Sequence, residues 1–116
     1  MTTMWTVIDD HEAAPASHVA LYGVRIRTRY KTLVALLGEP NGADDDDRKI
    51  ITTSWLLQHS EAGDVVRLHD WKATDRYRSC LPTIEKFRSL PSYYWHITAE
   101  QEETAMLFKL WLENRL

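Results

Sequence analysis

Apolar and polar positions alternate most clearly in two runs, residues 50–59 (IITTSWLLQH) and 64–72 (DVVRLHDWK), on either side of Glu61-Ala62-Gly63. Both runs are rich in β-branched and aromatic residues, and the Gly-bearing spacer between them predicts a β-hairpin. With Ala62 and Gly63 as the two turn residues, Leu57 faces Leu68, Trp55 faces Asp70, Leu56 opposes His69 and Ser54 opposes Trp71. Successive side chains of a strand point to opposite faces. Trp55, Leu57, Val66 and Leu68 therefore form one apolar side, and Arg67, His69 and Trp71 the other. The first side is core. The second is either a recognition surface or lies beneath another element of the same domain.

The same reasoning extends along the chain. Residues 21–27 alternate through Val24 and Ile26 with arginines between them, which predicts a half-exposed strand. Thr28 is the N-cap candidate for a short helix over Tyr30, Leu33, Val34 and Leu37, closed by Gly38 and Pro40. Residues 82–90 predict one or two helical turns capped by Thr83 and ended by Pro91. In LPSYYWHITAE, residues 90–100, Tyr93, Trp95 and Ile97 fall on one face of a strand and Tyr94 and His96 on the other. Thr98 with Gln101 reads as a capping box for the last helix, and Glu100, Glu102 and Glu103 suit the positive end of its dipole.

That helix carries AMLFKLWL, residues 105–112, apolar on nearly every side except at Lys109. One sheet buries only one stripe of a helix. The excess is covered by the N-terminal segment or shared with a second copy, with Phe108 or Trp111 crossing between chains of a homodimer. Residues 4–8 read as an edge strand or arm, and residues 9–17 as a linker. The order of elements predicts an α+β fold. It comprises an N-terminal segment over residues 1–18 and a compact single domain over 19–116, mainly an antiparallel sheet with a central β-hairpin and two to three helices.

A chain of 116 residues supports one core without staples. With 14 basic and 17 acidic residues the net charge of −3 favours no partner class. Arg25, Arg27 and Arg29 alternate and Arg76, Arg78 and Arg88 cluster, but this is too scattered for a phosphate-tracking stripe, so direct nucleic-acid binding is not expected. The start of the chain lacks a basic n-region and an apolar run, and no segment approaches the ~20 apolar residues of a membrane span. A soluble protein without a membrane partner is the expectation. The single cysteine, Cys80, excludes an internal disulfide and suits a reducing compartment.

Chemistry is harder to find. Asp44, Asp45, Asp46 and Asp47 are consecutive, without the alternating ligands, central glycine and distal Glu of a calcium loop, and read as a solvated loop. His69 and Asp70 are adjacent on a strand and point apart, so they form no dyad. Cys80 with His96 has no local signature of a nucleophile and base. His59 lies on the opposite face from His69, which argues against a metal site shared with His96. No enzymatic role, cofactor or metal is expected.

The pieces LVALLGEPN, TTSWLLQ, GDVVRLHDWK and LPSYYWHI resemble a family of small, largely uncharacterised proteins encoded by bacteriophages and large DNA viruses. Its members carry a short helix ending in Gly-Glu-Pro, a Trp-bearing strand, a hairpin ending in Asp-Trp-Lys, and a late Tyr-Asp-Trp-His-Ile-Gly-Gly segment. The resemblance runs over roughly residues 28–108. Here Tyr94 stands where the pattern has Asp, and Thr98-Ala99 replaces Gly-Gly. A Gly-Gly entry to a helix would let a phosphate reach free backbone N–H groups, whereas the Thr98 hydroxyl would satisfy one of them itself. The resemblance implies a viral accessory protein acting in the host cytoplasm.

Three modes of action follow. The leading one is inhibition of a host antiviral defence protein by binding it, since Trp, Tyr and Arg dominate interface hot spots. The second is sequestration of a nucleotide signalling ligand, with Tyr94 or Trp71 stacking a base and Arg67 or Arg78 meeting phosphate. The third is a structural component self-associating through the last helix. The binding residues expected are Arg67, His69, Trp71, Arg78, Tyr94 and His96.

Overall fold

A computed structural model describes residues 5–8, 22–41 and 51–116 of the chain. Within them the elements run β1 (Trp5–Val7), β2 (Tyr22–Thr28), α1 (Tyr30–Leu37), β3 (Ser54–His59), β4 (Val65–His69), α2 (Ile84–Arg88), β5 (Tyr93–Ala99) and α3 (Glu102–Glu113). All five strands join one antiparallel sheet in the order β1-β3-β4-β5-β2. The helices pack on one face of it, so the chain is a compact α+β domain with a central hairpin and a C-terminal helix. Within the expected arm, Trp5–Val7 forms the edge strand β1. The aspartates at 44–47 and the linker at 9–17 lie outside the described residues.

Alternation along each strand sorts the side chains as its period of two requires. Trp55, Leu57, Val66, Leu68, Trp95, Ile97 and Ile26 are buried on the helix-covered face. At its centre Trp55 and Trp95 meet edge to face at 5.7 Å, and Phe87 of α2 packs on Trp95 at 5.4 Å. Both buried indoles keep a partner, as a polar atom removed from water requires. Trp55 Nε1 donates to the Gly38 carbonyl at 2.8 Å, and Trp95 Nε1 to that of Thr28 at 3.2 Å. Gly38 sits at φ +86°, where a side chain is strained, and this ends α1 as its position predicts. Thr83 caps α2 by accepting from the Lys86 N–H.

Three local expectations need correction. The hairpin is shifted by two residues: Trp55 pairs with Leu68, Leu57 with Val66, Leu56 with Arg67 and Ser54 with His69. A two-residue loop centred on Ala62-Gly63 would need positive φ at Ala62. Instead a longer turn forms, in which Gly63 takes φ +77° and the His59 Nδ1 accepts from the Glu61 and Ala62 N–H groups at 3.2 and 3.0 Å. A shift of two preserves every face. Thr28 is the last residue of β2 rather than a cap, since α1 begins behind Arg29 without a side-chain cap. Thr98 likewise stays in β5, and α3 begins behind Gln101.

Phe108 and Trp111, expected to cross between chains of a homodimer, are buried within their own chain. Phe108 is fully buried within its own chain, meeting Trp5 of β1 edge to face at 5.2 Å and stacking on Trp111 at 5.7 Å. Trp111 is covered in turn by Arg115, whose guanidinium lies 4.1 Å from the ring and donates to the Trp111 carbonyl. The N-terminal strand thus covers part of the helix's apolar excess. Met106, Leu107 and Leu110 remain exposed on the other side of α3.

Candidate functional site

The opposite face of the sheet carries Thr6, Ser54, Leu56, Gln58, Val65, Arg67, His69, Tyr94, His96, Thr98, Arg25 and Arg27, with no Asp or Glu among the described strand residues. Antiparallel register sets a row across four strands, Ser54, His69, His96 and Arg25, and places Arg27 beside Tyr94. Local sequence separates these residues widely. The pairing of β2 with β5 brings them together.

At the β5–β2 end the surface is open. Tyr94 is 51% exposed, and the guanidiniums of Arg25 and Arg27, both exposed, lie 5.3 and 5.7 Å from its ring centroid. Each such contact is worth about 0.5–1 kcal/mol at an exposed site. Arg27 Nε also donates to Ser92 Oγ at 3.1 Å. Next to these residues the half-buried His96 stacks on His69 at 5.7 Å, and Trp71 tilts against both at 6.4 and 6.1 Å. Burial, and secondarily the charge of Arg25, hold the His96 imidazole below its usual range, so the ring is neutral at pH 7.

Trp71, 40% exposed, ends the row, and Lys72 follows it at φ +53°. That left-handed residue turns the chain out of the sheet. The Lys72 ammonium lies 5.8 Å from the Trp71 ring and 5.3 Å from that of Tyr77, over which Arg78 also sits at 5.5 Å. Arg78 is therefore at the margin of the surface, joined to it through Tyr77 and Lys72.

Two expected binding residues have hydrogen-bond partners within the domain. His69 is buried; its Nδ1 donates to the Asp70 carbonyl at 2.6 Å and its Nε2 faces the Thr98 hydroxyl at 3.3 Å. A carbonyl can only accept, so Nδ1 carries a proton. The half-buried Arg67 donates to Ser54 Oγ at 2.7 Å. Both residues lie on the expected face but are engaged within the sheet. Sequence reasoning passed over Arg25, Arg27, Lys72 and Tyr77, although the alternation of arginines in β2 signalled that two of them share a face.

Beneath the row lies Asp70, fully buried. Its Oδ1 accepts from the Thr52 and Thr53 N–H groups at 2.7 and 2.9 Å and its Oδ2 from the Thr52 hydroxyl at 2.5 Å. Desolvation raises its pKa, opposed by these donors. Thr53 Oγ1 accepts in turn from Nε and Nη2 of Arg88, both at 3.2 Å. Asp70 carries the β3–β4 pairing one step further, its N–H donating to the Thr53 carbonyl at 3.1 Å, while its carboxylate anchors the chain entering β3. Cys80 is exposed, and among the described residues no group of three or more His, Cys, Asp or Glu is placed to hold a metal ion. No described helix is long and apolar enough to cross a membrane.

Comparison with protein-family models, curated proteins and solved structures finds no match to this chain.

Proposed function

We propose that the protein is a phage accessory protein that acts by binding a host protein in the host cytoplasm and blocking an antiviral defence, with the exposed β5–β2 end of the polar face as its recognition surface. The observation that carries this reading is the exposed Tyr94 with Arg25 and Arg27 against its ring, and with Trp71 and His96 on the same face. Flat rings offer large contact area at small entropic cost, and Tyr, Trp and Arg are the residue types on which interface energy concentrates. A face whose described strand residues include no carboxylate selects a partner surface that carries them. The motifs that resemble phage and viral proteins supply the setting. Binding, with no chemical step, is the whole of the proposed activity.

Expression in a host that carries a defence system tests the reading. The wild-type protein is expected to restore plating of a restricted phage and to co-purify one host protein in stoichiometric amount. Both should be lost in a Tyr94→Ala, Arg25→Glu, Arg27→Glu variant whose melting temperature is unchanged. Retention of both by that folded variant would rule the surface out. The second reading, sequestration of a nucleotide, draws on the pairing of the exposed Trp71 ring with Lys72, which suits a base and a phosphate. It predicts thermal stabilisation by nucleotides, lost on Trp71→Ala.

A further inference from the structure

We infer that the partner docks by strand addition: the outer edge of β2 accepts an extended segment of alternating acidic and apolar residues as a sixth strand. This rests on reading the β5–β2 end of the sheet as the recognition surface, and it adds the mode of docking and the chemistry of the segment.

The first ground is the edge itself. β2, Tyr22–Thr28, is seven residues long and ends the sheet, and among the described residues it pairs with β5 alone. In an antiparallel ladder every second residue of an edge strand turns its N–H and C=O outward, a template for another strand. The second ground is what flanks that edge. On the polar face Arg25 and Arg27 stand exposed two residues apart, and Tyr94 walls them on the β5 side. A strand laid on β2 brings its own side chains directly opposite these, so carboxylates at positions i and i+2 would meet both guanidiniums. On the helix-covered face the half-buried Val24 and the buried Ile26 lie at the same edge, where apolar residues at the intervening positions would extend the core. Two like charges on one short edge disfavour pairing of β2 with a second copy of itself and favour an acidic segment of the partner as the occupant.

The probe is a fluorescent peptide of about ten residues alternating Glu and Val, long enough to cover the strand. Its counterparts are the same peptide N-methylated at alternate residues, a Lys–Val peptide, and oligothymidylate of similar length. Strand addition predicts binding of the Glu–Val peptide to the wild-type protein, slowed amide exchange at residues 24–28, and at least tenfold weaker binding after N-methylation. It also predicts that Arg25→Glu with Arg27→Glu reverses the preference toward Lys–Val. If that variant does not fold, Arg25→Gln with Arg27→Gln should lose the Glu–Val peptide without gaining the other.

Equal binding of the N-methylated peptide would reduce the contact to surface charge and overturn the inference. So would absence of peptide binding, or oligothymidylate binding that the peptide does not displace. The two levels fail separately. A host partner still captured by the Tyr94 and arginine variant sinks the recognition surface, whereas a partner lost by that variant but leaving residues 24–28 unprotected in the wild-type complex sinks strand addition alone.

Discussion

Asp70 offers the sharpest test of how this fold is held. Its carboxylate accepts three hydrogen bonds in a site closed to water, two from backbone N–H groups of residues 52 and 53 and one from the Thr52 hydroxyl. Asp70→Ala leaves both N–H groups buried without an acceptor, at about 1–3 kcal/mol each, so a loss of about 3–5 kcal/mol is expected. For a domain of this size that lowers the melting temperature by roughly 15 °C or more. Asp70→Asn behaves differently. Both N–H groups donate to Oδ1, which an amide oxygen replaces, and the amide NH₂ can donate to Thr52 Oγ1 in place of Oδ2. Asn should therefore stay within about 1 kcal/mol of wild type at pH 7.

The pH dependence follows from the raised pKa of the buried carboxyl. The native state binds this proton more tightly than the unfolded chain does. The resulting stabilisation is fully present below the unfolded value of about 3.8 and is lost as pH rises through the higher native value. The stability of Asp70→Asn relative to wild type should therefore rise with pH across that window and level off above it. Urea unfolding followed by tryptophan fluorescence between pH 3.5 and about 7.5 reads both effects. An Ala variant within 1 kcal/mol of wild type, or an Asn variant as damaged as Ala, would refute the account of Asp70 as an acceptor anchoring the entry to β3.

Trp55→Ala removes a fully buried indole and its bond to Gly38, and should cost about 3–5 kcal/mol in chemical denaturation. Phe108→Glu places a charge among Trp5 and Trp111 and should leave the protein largely unfolded by circular dichroism, whereas Leu107→Glu, at a position 60% exposed, should change stability by no more than about 0.5 kcal/mol. A folded, monomeric Phe108→Glu protein would contradict the intramolecular packing of α3. His96 should titrate below 6.5 in an imidazole NMR titration, and Arg25→Gln should raise its value, though not fully, because burial is the larger cause. Its contribution to stability is complete above the unfolded pKa and is lost as pH falls through the lowered native one.

Which side of each strand faces the core is legible in the residues alone, because the period of two is local and survives the two-residue shift of the hairpin. The end of α1 at Gly38 and the start of α2 at Thr83 are legible for the same reason: a positive φ and a hydroxyl cap act within one turn of chain. Tertiary structure decided the rest. The hairpin register goes with the His59 ring accepting from its own turn and with Asp70 bonding residues 52 and 53 through both its carboxylate and its N–H. Thr98 suits a cap by spelling, yet cross-strand pairing with Gly23 and Arg67 keeps it in β5. Phe108 and Trp111 read as excess apolar surface until Trp5, from the far end of the chain, covers Phe108. The surface of Tyr94, Arg25 and Arg27 exists only because β2 and β5 pair, a contact between segments far apart in sequence that no local pattern encodes.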